Sequence, residues 1–179
     1  MKERVLTDEQ AMNRMLIRLS HEIVERNSDA DTIYLAGIRR RGVPLAGRIK
    51  KYIEQFTGLK VELGEIDITP YRDDLIDHHE MLHVDHTEIP YDVSGKTVVL
   101  VDDVLYTGRT ARAAMDALIE LGRPAAIQLC VAVDRGHREL PISANYVGKN
   151  IPTSHDEFVS VRVLEIDGVN EICITRMDA

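Results

Sequence analysis

Residues 98–110 read Val-Val-Leu-Val-Asp-Asp-Val-Leu-Tyr-Thr-Gly-Arg-Thr. Asp102 and Asp103 are adjacent carboxylates behind an apolar run, placed to accept hydrogen bonds from a sugar diol or to help hold a hydrated Mg²⁺. Thr107, Gly108, Arg109 and Thr110 then open a predicted helix. Two hydroxyls, a permissive glycine and the free N–H groups of a helix start make a phosphate cradle.

Two further loops could do related work. Gly37-Ile38-Arg39-Arg40-Arg41-Gly42 puts three forked cations between two glycines that let backbone approach a ligand. The segment from Asp67 to Asp74 carries Arg72, the only Lys or Arg in residues 61–95. It also precedes His78, His79, His83 and His86, which could suggest a metal site. No helical pattern lines them up, so a solvated loop is expected.

These loops must be positioned by something rigid. Met12, Met15, Leu16, Leu19 and Ile23 recur at helical spacing, predicting an amphipathic helix through Arg26, with Thr7 as N-cap and Gln10 at N3. Strands are predicted at 32–36, 61–66, 97–101 and 125–133, helices at 43–56 and 110–121. Short β-like pieces follow near 144–147, 159–163 and 171–175. Buried strands alternating with helices predict an α/β fold with a mostly parallel central sheet. In such sheets ligands bind outside the carboxyl ends of the strands, where all three loops fall.

Composition bounds the rest. The chain has 179 residues, 44% of them hydrophobic, enough for one globular domain over 1–179. No run approaches a membrane span, and Met1 to Arg4 leads into no signal-peptide core. Cys130 and Cys173 lack metal spacing and are expected to be buried, reduced thiols in a cytoplasmic protein. The net charge of −8 argues against a nucleic-acid partner. However, residues 61–95 alone carry one basic and ten acidic side chains. The rest of the chain is therefore near neutral and free to present a basic face.

The 98–110 string resembles the phosphoribosyl pyrophosphate (PRPP) site of type I phosphoribosyltransferases. The resemblance implies that Asp102 and Asp103 bind the ribose hydroxyls. It implies that Tyr106, Thr107, Gly108, Arg109 and Thr110 hold the 5′-phosphate end, and that Mg²⁺ arrives with PRPP. Gly37–Gly42 matches that family's pyrophosphate loop, where a non-proline cis peptide is common, and the match implies that Arg40 or Arg41 touches pyrophosphate. Residues 68–95 resemble its flexible catalytic loop, with Arg72 catalytic. Where several 6-oxopurine members carry an Asp, this sequence has Tyr106, which disfavours a purine substrate.

A closer resemblance, to the PyrR family, lies in Asp134–Ile142, Gly148–Ser154, Glu65–Thr69 and Tyr71–Leu75. It implies a uracil phosphoribosyltransferase making UMP and pyrophosphate, with uracil near Val133, Asp134 and Arg135. It also implies a homodimer or larger homo-oligomer and a small hood over 134–179, near the first helix. The second implied function is binding of a pyrimidine-operon mRNA leader stem-loop when UMP or UTP is bound. Arg18, Arg26, His137, Arg138 and Lys149 are the RNA candidates. Two departures stand out: Ser143 replaces a common arginine, and Pro70 a usual leucine. The alternatives are a nucleotide-sensing RNA binder with little catalysis, and a purine-base phosphoribosyltransferase.

Overall fold

The computed structural model describes residues 2–71 and 87–176. Arg72 and all four loop histidines lie outside the described residues. In chain order the elements are β1 (Lys2–Thr7), α1 (Glu9–Arg26), β2 (Thr32–Ile38), α2 (Gly42–Thr57) and β3 (Lys60–Ile66). After a 3₁₀ turn at Thr69–Tyr71 come β4 (Thr97–Leu105), α3 (Arg109–Glu120), β5 (Ala126–Asp134) and β6 (Tyr146–Asn150). β7 (Glu157–Arg162), α4 (Leu164–Asp167) and β8 (Glu171–Arg176) complete the chain.

The five strands β3-β2-β4-β5-β6 form one parallel sheet. β4 is central, and its side chains serve both faces. Val99 and Val101 join the core built with α1 and α2, while Val98 and Leu100 join the core built with α3. That two-sided burial is why Val98–Val101 reads as a continuous apolar run. Each such buried side chain contributes roughly 1.5–3 kcal/mol. The order places the switch point between β2 and β4, with α2 and α3 on opposite faces. The loops after β2, β3 and β4 therefore converge on one crevice.

A second, antiparallel sheet has the order β1-β8-β7. Its Val161 and Ile172 belong to the same core as α1 and α2. Two expectations are corrected here. The helix cap is Asp8, not Thr7: the Asp8 carboxylate accepts from the Ala11 N–H at 2.8 Å. Thr7 is instead the last residue of β1, a strand the sequence did not predict, and is paired with Ile172. The hood is also differently composed. Tyr146–Asn150 forms the edge of the parallel sheet, and the N-terminus supplies a strand to the small one.

Cys130 and Cys173 are free and buried as expected. Burial pushes their thiols up to about 12 and about 11 respectively, which keeps them protonated. Pro70 sits inside the 3₁₀ turn, where a fixed φ is tolerated.

Candidate active site

A cavity of about 530 Å³ opens at the carboxyl ends of β2, β3 and β4. It is lined by Arg39, Arg40, Arg41, Asp67, Ile68, Thr69, Asp102, Asp103, Val104 and Thr110. The structure thus brings together the arginine loop, the paired acids and the end of the phosphate cradle.

The acids, expected at the end of the strand, lie within it, since β4 runs on to Leu105. Asp102 is 8% exposed, and its Oδ1 accepts the Asp103 N–H at 2.9 Å. Burial, then the neighbouring Asp103 charge, pushes the Asp102 carboxyl well above the usual range. Asp103 is only partly buried, and its Oδ1 accepts the Val104 N–H at 2.8 Å.

The arginine loop approaches β4 because Gly42 has no side chain. A Cβ there would lie 2.2 Å from the Val101 carbonyl oxygen. The expected non-proline cis peptide is present, between Arg39 and Arg40. The three arginines differ in their partners. Arg39 pairs with Glu65 at 2.9 Å, and its Nε is buried without a partner among the described residues. Arg41 forks onto Asp167. Arg40 is exposed and has no polar partner among the described residues.

Gly108 takes φ 94° at the start of α3, a left-handed turn that a glycine adopts freely. The Thr107 hydroxyl accepts the Arg109 N–H at 3.3 Å, and the Thr107 carbonyl accepts the N–H groups of Glu139 and Leu140. Arg109 is paired with Glu139 at 2.7 Å. The cradle is therefore fastened to the loop after β5.

That loop forms a second cavity of about 380 Å³, lined by Asp134, Arg135, Gly136, His137, Arg138, Asn150, Pro152 and Thr153. Arg135 is buried; its Nε donates to the Thr153 hydroxyl at 3.1 Å and a terminal nitrogen to the Glu157 carbonyl at 2.6 Å. Its guanidinium lies 4.1 Å from the centre of the Tyr106 ring. The Val133 side chain is fully buried in the core and reaches neither cavity.

A model of the phosphoribosyl transferase domain family matches residues 4–165. A bifunctional protein PyrR from Clostridioides difficile (strain 630) is 59% identical over 169 residues, covering 94% of this chain and 96% of the relative. The chain belongs to the PyrR family of phosphoribosyltransferases. A PyrR from Thermoanaerobacter sp. (strain X514) is 58% identical over 170 residues, covering 95% of this chain and 96% of the relative. Among solved structures, hypoxanthine phosphoribosyltransferase of Trypanosoma cruzi superposes with a TM-score of 0.74 at 17% identity, over 98% of this chain and 97% of that one. A Bacillus anthracis hypoxanthine-guanine enzyme gives 0.72 at 19%, over 99% and 100%. At such identities these two structures show the fold alone.

The RNA candidates of this PyrR-family chain fall into two groups. Arg18 and Arg26 stand exposed on α1. Arg18 pairs with Glu22 at 2.6 Å and donates to the Gly148 carbonyl at 2.6 Å, one residue from Lys149 on β6. Among the described residues Arg26 makes a loose contact, 5.9 Å, with the centre of the Tyr146 ring. Lys149 reaches the Leu6 carbonyl at 3.4 Å.

The loop pair is different. His137, at φ 61°, donates from Nε2 to the Thr153 carbonyl at 2.6 Å. Arg138 donates to the Tyr106 carbonyl at 2.8 Å, the Ile142 carbonyl at 2.8 Å and the Asp134 carboxylate at 2.6 Å. The Arg138 guanidinium therefore joins three segments of the chain.

The sequence motifs contained Arg39, Asp67 and Thr69 of the first cavity and Asn150, Pro152 and Thr153 of the second but assigned none of them an individual site role. Each lies at, or within about three residues of, the carboxyl end of a strand, and that position was the available signal.

Proposed function

We propose that this protein transfers the phosphoribosyl group of PRPP to uracil, giving UMP and pyrophosphate, and binds a pyrimidine-leader RNA stem-loop when UMP or UTP occupies the same site. The observation that carries this is the single cavity shared by Arg39–Arg41, Asp102, Asp103 and Thr110, in a chain of the PyrR family.

In this scheme Thr107–Thr110 hold the 5′-phosphate, and the ribose hydroxyls donate to Asp102 and Asp103. A buried carboxylate beside a second one is costly when ionised, so hydrogen-bond donors from a sugar relieve it. Arg40 and Arg41 face the pyrophosphate. Uracil N1 bonds to the anomeric carbon as the carbon–pyrophosphate bond breaks, and the N1 proton is lost to solvent. The arginines stabilise the leaving charge. Arg72, outside the described residues, is assigned to the same charge. The uracil edge is read by backbone groups of the Val133–Arg135 stretch and by the loop that Arg138 secures.

Phosphoribosyltransferases generally use Mg²⁺ with PRPP. Among the described residues the cavity supplies three carboxylates, Asp67, Asp102 and Asp103, which do not converge closely enough to hold a bare ion. The three-ligand group of His, Cys or acidic side chains found there is Glu3, Glu171 and Cys173, in the small sheet. Asp102 and Asp103 therefore fit an ion that arrives on PRPP oxygens, where it would add positive charge against the leaving pyrophosphate.

A homo-oligomer and a cytoplasmic setting belong to the same proposal. Two reduced, buried cysteines support the latter. Among the described residues no helix is long and apolar enough to cross a membrane.

The test is turnover of uracil against hypoxanthine with PRPP and Mg²⁺. Uracil should be preferred. Faster turnover of hypoxanthine would move the assignment to a purine enzyme, and absence of both would favour an RNA binder alone.

A further inference from the structure

α4 carries none of the expected site residues, yet its acids grip the helix behind the cavity. Arg41 donates from Nε to Asp167 Oδ2 at 3.0 Å and from one terminal nitrogen to Oδ1 at 2.7 Å. Two turns along α2, Arg48 makes the same side-on fork with Glu165, at 2.9 and 2.5 Å. Asp167 is itself fixed. Its Oδ2 accepts the Val163 N–H at 2.9 Å, and its own N–H donates to the Val163 carbonyl at 2.7 Å.

The two forks differ in what stands behind them. Arg41 lines the cavity with Asp102 and Asp103. Arg48 lines a separate groove with Lys51 and Tyr52. A side-on fork uses Nε and one terminal nitrogen, so the other terminal nitrogen of Arg41 has no partner among the described residues. Arg41 can therefore hold Asp167 and an anionic oxygen at once. A long arginine left alone samples many rotamers, and binding an anion would have to order it.

We propose that Asp167 is a positioning residue for the reaction: it pre-orders the Arg41 guanidinium so that the unpaired edge is ready for the pyrophosphate oxygens of PRPP. This rests on the cavity being the PRPP site. The effect acts through Arg41, whereas the Glu165–Arg48 pair serves only to dock the α4 hook.

The experiment combines steady-state kinetics with calorimetric binding of inorganic pyrophosphate to the full chain. Asp167→Asn keeps an acceptor for the Val163 N–H but breaks the charged fork. It should raise KM for PRPP and weaken pyrophosphate binding roughly tenfold, the scale of one charge-assisted hydrogen bond. KM for uracil should stay put, and Asp167→Glu should recover part of the loss. Glu165→Gln, on the same hook, should leave PRPP and pyrophosphate affinity unchanged. In an Arg41→Gln background, Asp167→Asn should add nothing further.

An equal loss in Glu165→Gln would reduce Asp167 to a structural role. A full further loss in the Arg41→Gln background would show that Asp167 does not act through Arg41. Either result overturns the proposal. Should the wild type fail to turn over uracil, the enzyme assignment falls instead, and the pyrophosphate titrations still decide the role of Asp167.

Discussion

The Arg135 guanidinium lies 4.1 Å from the centre of the Tyr106 ring, joining the end of β5 to the phosphate cradle after β4. The same guanidinium holds the Glu157 carbonyl and the Thr153 hydroxyl. Replacing it with alanine removes the stack and both hydrogen bonds. Arg135→Ala should lower stability by about 2–4 kcal/mol. Arg135→Lys should recover less than half of that, because an ammonium has neither the fork nor the planar stack. Thermal or denaturant unfolding of the two variants checks both statements.

Asp102 predicts a conflict between stability and function. Its folded-state pKa is raised by burial and by Asp103, so the fold resists ionising it. The sign follows: relative to a neutral side chain, Asp102 costs nothing below its unfolded pKa and becomes costly as pH rises through its folded pKa. Asp102→Asn should therefore raise stability at pH 8 by about 1 kcal/mol, as residues kept for function often do when replaced. The gain should vanish as pH falls below ~4. Turnover should collapse in the same variant. Unfolding curves at pH 8 and pH 4, beside an activity assay, measure all three.

The RNA candidates should separate by their present partners. Arg26 has no hydrogen bond to lose among the described residues, so Arg26→Ala should weaken RNA binding and lower its salt dependence by about one unit of slope. Uracil turnover should be unchanged. Arg138→Ala should impair both functions, because it releases the Tyr106 and Ile142 carbonyls and the Asp134 carboxylate together. Equal, RNA-only losses in both variants would contradict this division.

Gly42 gives a steric prediction. A methyl group at that position meets the Val101 carbonyl oxygen at 2.2 Å, and backbone cannot rotate away as a side chain can. Gly42→Ala should cost about 1–3 kcal/mol by overpacking. It should also raise KM for PRPP, since the arginine loop must shift from β4. Denaturation and kinetics on one preparation test it.

The parts of the site that were legible are those written in contiguous sequence. Val98 to Thr110 encodes a strand, two acids and a helix start within thirteen residues, and the sheet topology does the rest. The arginine loop was legible for the same reason. Partners distant in sequence were not: Asp167 meets Arg41 across 126 residues, and nothing local marks it. β1 escaped because a short, charged strand gains its order from pairing with β8 at the far end of the chain. That pairing also displaced the helix cap from Thr7 to Asp8. Arg138 looked like a surface charge because its three acceptors are two carbonyls, which carry no sequence signature, and one carboxylate.

The central claim is that one site both binds the nucleotide and governs RNA affinity. Its most direct test is a titration of a pyrimidine-leader stem-loop with the protein, at fixed ionic strength, with and without UMP. The wild type should bind roughly tenfold more tightly with UMP, within the usual range of coupling between sites. Asp103→Asn should keep the UMP-free affinity and lose the response. An RNA affinity that is the same with and without UMP in the wild type would contradict the account.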